Sequence, residues 1–315
     1  MSWKRVLQAL VVLHLSAYVS RGTNARDRSM PTVLLPDRSL IAVSGADAEH
    51  LLQNVVTCNL EDLQEGIARP GALLTPQGKI LFDFLISRTD DTGFIIDIRA
   101  DQVDPFTKRM ILYKLRSDMT LTVISGRHVA VSFNDGSSAP PNAKKDERFK
   151  KQTVSRLVVD SPFNETGEDR SAWDALRIEH GVAEGGTDFD LGDAFPHDVS
   201  LDQNSGVDFK KGCYVGQEVV SRMQHRGTAR RRVMVAHATD QLPASGSEVT
   251  ANGKPAATLG TVVGNRSLMI GRLDRVQEAL KEGTPLRAGN ITIQSVTLPP
   301  SVTYGWPDNE LDQDG

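Results

Sequence analysis

The segment Lys210-Lys211-Gly212-Cys213-Tyr214-Val215-Gly216-Gln217-Glu218 gathers a thiol, two ammonium groups, an aromatic ring, an amide and a carboxylate within a few positions. Cys213 is one of only two cysteines in the chain. The thiolate is the reactive form of cysteine, and nearby ammonium groups favour it. Gly212 and Gly216 are expected to take backbone angles closed to other residues and to admit a ligand close to the main chain. Tyr214 offers a flat face, with Gln217 and Glu218 to supply polar contacts. A cysteine in a turn is by default a small buried hydrophobe. The flanking charge, which a buried apolar thiol avoids, points instead to Cys213 as an exposed functional thiol.

Other polar residues stand out by position. Asp83 interrupts the apolar run Ile80-Leu81-Phe82-Asp83-Phe84-Leu85. A carboxylate there either points to water from a half-exposed strand or needs a partner. Arg177 and Glu179, two apart on a helical segment, read by themselves as solvated charges. Arg222, Arg226 and residues 230–232 carry enough guanidinium to grip a polyanion, although a solvated basic strand edge explains the last three nearly as well. His180, His197 and His225 lack metal-ligand spacing, and no metal is expected.

These residues need a scaffold. The pattern predicts strands at 41–44, 71–74, 80–87, 94–99, 121–124, 129–133 and 156–159, with a hairpin signal in Thr75-Pro76-Gln77-Gly78. Helices are expected at 48–55, capped by Asp47, at 105–115 and at 171–180. Residues 134–151 read as a polar loop and a domain junction. Short strands at 233–237, 248–250, 257–263, 267–273 and 291–296 suggest a small antiparallel barrel. The fold class is α+β with a β-rich C-terminal part. A net charge of −4 argues against a direct nucleic-acid partner. Two distant cysteines give neither a disulfide framework nor a metal cluster, so a reducing compartment is expected.

Residues 1–29 are a separate matter. Lys4 and Arg5 precede an apolar run at 6–19, and no acidic residue occurs before Asp27. This reads as a secretion signal or a transit segment; Gln8, His14 and Ser16 interrupt it too much for a membrane span, and no membrane partner is expected. The favoured reading starts the globular part at Met30 and sets residues 1–29 aside as a signal-like or spurious extension.

Lys-Gly-Cys-Tyr-x-Gly-Gln-Glu resembles the signature of the YgfZ family, folate-binding relatives of the glycine-cleavage T protein. Trp173-Asp174-Ala175-Leu176-Arg177-Ile178-Glu179-His180-Gly181 is similar to the Arg-x-Glu-x-Gly segment shared with T proteins, and Pro196 follows in the expected order. Val219-Val220-Ser221-Arg222-Met223-Gln224-His225-Arg226-Gly227 and Leu51-Leu52-Gln53-Asn54-Val55-Val56-Thr57-Cys58-Asn59-Leu60 extend the likeness, which spans residues 30 to about 300. It implies a T-protein-like multidomain ring ending in an antiparallel β-barrel. The corresponding divisions are 30–145, an α+β folate-binding-like region; 146–227, carrying the Cys motif; 228–300, the barrel; and 301–315, a tail.

The resemblance further implies binding of tetrahydrofolate or a one-carbon-substituted folate. It implies a role in assembling, maintaining or repairing iron–sulfur enzymes, with those enzymes or assembly proteins as partners, and a link to tRNA modification. The location would be cytoplasmic, or the mitochondrial matrix in a eukaryote. Asp83 and Cys213 become candidate catalytic residues. Candidate folate contacts are Asp83, Arg177, Glu179, Lys211, Gly212, Tyr214, Gly216, Gln217, Glu218, Arg222 and Arg226, the arginines facing a glutamate tail. Asp83 matches the second of two acidic residues in T proteins. The first is replaced by Phe82, which speaks against the alternative of a true aminomethyltransferase. A client-binding scaffold without folate is the other alternative.

Overall fold

The computed structural model describes residues 32–89, 93–133, 142–160 and 169–307. The assignment of residues 1–29, and most of the tail after 307, lie outside the described residues.

Nine strands form one sheet: β1 (Thr32–Leu35), β2 (Arg38–Ser44), β3 (Ile67–Leu74), β4 (Ile80–Arg88), β5 (Phe94–Arg99), β6 (Thr120–Val123), β7 (His128–Phe133), β8 (Lys144–Asp146) and β9 (Val154–Val159). Their order is β1-β7-β9-β8-β3-β4-β5-β2-β6, and the pairing of β3 with β8 is parallel. Alternation sends Phe82, Phe84 and Ile86 of β4 to one face. There they pack beneath α1 (Ala48–Val55) and α2 (Val103–Lys114), with Phe106 edge-on to Phe82 at 5.5 Å. A second apolar cluster surrounds Trp173 of α3 (Arg170–His180), which rests against Val33 and Leu35 of β1 and against Phe133 and Phe149.

The C-terminal strands β10 (Arg231–Ala238), β11 (Glu248–Ala251), β12 (Lys254–Val263), β13 (Arg266–Arg272), β14 (Leu286–Ala288) and β15 (Ile291–Thr297) close into an antiparallel barrel, in the order β10-β13-β12-β11-β14-β15. The fold class read from the sequence, α+β with a terminal β-barrel, is the one observed. Closure pairs every strand edge, so the barrel needs no covering element. A third cluster joins sheet to barrel: Ala72, Leu74 and Ile80 meet Tyr214, Val220, Val233 and Ile270.

Several local expectations need correction. Asp47 occupies the cap position of α1 without capping it; its Oδ2 accepts the Asp118 N–H at 2.7 Å instead. The polar stretch assigned to a loop contains β8, where Asp146 is fully buried among arginines. Two helices were not anticipated, α4 (Gln217–Arg226) and α5 (Leu273–Glu282). Both are short and rich in charge, and each ends on a glycine, Gly227 and Gly283, in the left-handed region.

Candidate functional site

The reactive segment is a loop leading into the N-terminus of α4. Lys211 anchors it: its Nζ donates to the carbonyls of Val56 and Cys58, both at 2.8 Å, just beyond the end of α1. Burial draws this ammonium group down to about 8. Asp208 holds the same loop by accepting the N–H groups of Lys210 and Lys211 at 2.6 and 3.1 Å. Thr57 ties it to the sheet, donating to Gly206 O at 2.6 Å and accepting from Ala72 N at 2.9 Å. With both flanks fixed, Cys213 stands exposed. Cys58 is its opposite. It lies fully buried under Gly71, and burial pushes its thiol up to about 11.

A second polar centre lies on the other side of β4. Asp83 is half-buried and accepts the Gly185 N–H at 3.0 Å. Desolvation raises its carboxyl above the ordinary range, and Glu184 adds to that, against the pull of Arg38 and the Gly185 N–H. Glu184 is held low despite burial because Arg177, Arg148 and Arg38 surround it. Arg38 pairs with Asp97 at 2.7 Å, and Arg148 with Asp146 at 2.7 Å. Arg156 is buried at the face of Trp173, 3.1 Å from Asp97 Oδ2. None of its three nitrogens has a hydrogen-bond partner among the described residues, nor has Asp97 Oδ2 or Trp173 Nε1. Burial and the neighbouring Arg148 accordingly weaken its hold on its proton, against Asp97.

Comparison with known proteins places these features. Residues 230–307 match the family described as CAF17, C-terminal beta-barrel domain. The iron–sulfur cluster assembly factor IBA57 homolog, mitochondrial, of Pyricularia oryzae is 30% identical over 298 residues, covering 81% of this chain and 76% of that protein. The chain belongs to this family. The homologue of Neurospora crassa is 31% identical over 245 residues, which are 67% of this chain but 56% of that longer protein. Aminomethyltransferase T of Bartonella henselae shares the fold, with a TM-score of 0.66 at 15% identity over 92% of this chain and 95% of that one.

Within this IBA57-type framework the sequence-derived site residues separate into groups. The backbone partners of Lys211 put the Cys213 loop at the end of α1, whereas Asp83 faces Gly185 and the arginines. Arg177 is not available to a ligand. It is fully buried and spends its donors on Asp174, Val182, Asp188 and Thr261. Glu179 is exposed on α3, and the carboxylate beside Asp83 is Glu184, five residues on. Tyr214 does not present its face. Its ring is buried between sheet and barrel, and its hydroxyl, without a hydrogen-bond partner among the described residues, is raised by burial.

Gly216 is required by packing rather than by a ligand: at φ +80° a Cβ there would meet Thr75 O at 2.5 Å. Gly212 has ordinary φ and open space around it. Gln217 is half-buried at the start of α4, and Glu218 is exposed and paired with Arg222 at 2.5 Å. Arg226 is exposed near the other end of the helix. Arg232 is buried against Asp202 at 2.7 Å and Arg231 pairs with Asp193 at 3.2 Å, so the basic run divides into structural and surface members. Sequence reasoning missed Arg38, Asp97, Arg148, Arg156 and Glu184. They come from distant strands, a turn and a loop and have no common local pattern; the one signal was a carboxylate before Gly185-Gly186. Gly185 leaves room for Asp83: a Cβ there would meet Asp83 Oδ1 at 2.3 Å and displace that carboxylate from the Gly185 N–H.

Proposed function

We propose that the chain is a folate-binding factor for the assembly, maintenance or repair of iron–sulfur proteins, of the kind the YgfZ resemblance implies, with Cys213 as its working thiol. The observation that carries this reading is the exposure of Cys213 on a loop tethered through Lys211. A single thiolate cannot hold a cluster alone, so the remaining ligands would come from a partner assembly protein or client. Such a shared site is by nature transient and suits transfer. The relatives' names, iron–sulfur cluster assembly factor and mitochondrial, support both the cargo and a mitochondrial location.

Tetrahydrofolate is the proposed cofactor. When bound it would supply an electron-rich pterin able to carry one-carbon units. The residues present suit it: Asp83, half-buried, offers a carboxyl of raised pKa for ring N–H groups. Phe82, packed into the α1–α2 core, leaves one acid where T proteins have two, which favours binding over aminomethyl transfer.

Calorimetric titration with tetrahydrofolate and with folinic acid tests the cofactor. Micromolar binding is expected, weakened by about 1–3 kcal/mol in Asp83→Asn, the scale for a lost charge-assisted hydrogen bond. Equal affinity for parent and variant would remove Asp83 from the site. Absence of binding would leave a client-binding scaffold.

A further inference from the structure

The helix α2 turns apolar side chains in both directions. Val103, Phe106 and Met110 face the core, while Ile111, Leu112 and Leu115 are 55%, 67% and 85% exposed. At 100° per residue, Lys108 and Leu112 fall on the pole opposite the buried stripe, with Ile111 on one flank and Arg109 on the other, and the exposed Leu115 and Arg116 follow directly past the helix end. From Lys108 to Arg116 the segment carries four cations and no carboxylate. None of Lys108, Arg109, Lys114 and Arg116 forms an ion pair among the described residues. Asp104 in the first turn and Asp47 with Asp118 beyond the last are the acids at its two ends. Leu115 ends the helix at φ +47°, where α3, α4 and α5 each use glycine. A branched residue at that angle strains the backbone, so its side chain is kept at a cost that glycine would avoid. Beside it lies an open hollow of about 690 Å³ lined by Asp47, Leu115, Arg116 and Ser117.

We propose that this pole is a peripheral docking surface for an anionic lipid bilayer, with Leu112, Leu115 and Ile111 entering the headgroup boundary. Lys108, Arg109, Lys114 and Arg116 contact lipid phosphates in that arrangement. Aliphatic tips collared by cations are the composition of interfacial helices, and long basic side chains lie along the boundary with their charges in the headgroups. A second copy of the chain does not fit, because pairing the face with itself would oppose like charges. A protein partner fits less well, since a stable interface needs about 800 Å² per side with an apolar centre; three exposed aliphatic side chains among four cations supply little of that. No helix among the described residues is long and apolar enough to cross a membrane. The contact amends the expectation of no membrane partner without implying a span.

Sedimentation of the full chain with phosphatidylcholine vesicles, with and without phosphatidylglycerol, tests this. Binding is expected only to the anionic vesicles and should weaken with salt. Leu112→Asp combined with Leu115→Asp should lower the partition about ten-fold or more, and Lys108→Glu or Arg116→Glu at least about five-fold each. Unchanged thermal unfolding of these surface variants keeps the comparison interpretable. Failure to bind anionic vesicles, or binding that the paired leucine variant leaves intact, overturns the proposal; the latter would assign any membrane contact to another segment. Retention on polyglutamate with no affinity for vesicles would also overturn it, in favour of an acidic protein.

Discussion

Cys213 and Cys58 show how position separates two identical side chains. One is exposed on a tethered loop, and the other is sealed beneath Gly71 with its thiol held neutral by burial. Cys213 is exposed, so Cys213→Ala should change stability by no more than about 0.5 kcal/mol, while abolishing support of iron–sulfur enzymes in a complemented deletion strain. Retained enzyme activities would dismiss the thiol. The two glycines of the loop differ in the same way. Gly216→Ala forces a Cβ onto the Thr75 carbonyl at positive φ and should cost about 1–3 kcal/mol in denaturant unfolding. Gly212→Ala meets open space at an ordinary angle and should be nearly silent. If Gly212→Ala nevertheless impairs function, the glycine serves an approaching partner rather than the fold.

The elements α3 and the barrel are locked by one carboxylate–guanidinium knot. Asp188 accepts from Arg177 at 2.7 Å, from Glu184 N at 2.7 Å, and from both Thr261 N and Thr261 Oγ1 at 2.6 Å. Gly260 permits this approach; a Cβ there would sit 2.7 Å from Asp188 Oδ1. Arg177→Ala leaves Glu184 and Asp188 buried without their main partner and should destabilise by about 3–5 kcal/mol, measured by urea unfolding. A loss under about 1 kcal/mol would show that the remaining arginines compensate. This knot marks where legibility ended. The apolar run in 80–87 and the helical spacing of Phe106 and Met110 in 105–115 announced their elements, and the residues did form them, because a buried face imposes its pattern on the sequence. Charged α4 offered no apolar stripe to read: Val220 is its only buried residue. Arg177 looked like a ligand contact because a resemblance transmits residue identity but not partners. Its partners lie in loops and strands whose pairing no local pattern encodes.

At the scale of the whole molecule, buried His197 and His180 oppose the raised carboxyls of Asp83 and Asp198 in the response to acid, and Glu184, held low by arginines, sides with the histidines. His197 is fully buried, with Nε2 against Gln224 at 3.1 Å and Nδ1 without a hydrogen-bond partner among the described residues, and desolvation lowers its pKa below 6.5; the pKa of His180 is lowered likewise. The unfolded chain takes up those protons at pH 6.5 and the folded chain only lower, so stability present at neutral pH is lost as pH falls through 6.5. Asp83 and Asp198 are raised, so acid acts in their case in favour of the fold. The melting temperature is expected to drop on passing below pH 6.5, and His197→Gln should shrink that drop. An identical profile would assign the acid response elsewhere. Strand β1 bears on a different process, maturation. Its four residues pair with β7 and place Val33 and Leu35 against the Trp173 cluster. Each of those two side chains contributes about 1.5–3 kcal/mol by its burial, and their removal would bare the edge of β7 to other chains. Any protease that trims a leader from this protein therefore has its last permissible cut ahead of Thr32, and a product beginning at Asp37 should be recovered as aggregate where one beginning at Met30 stays dispersed.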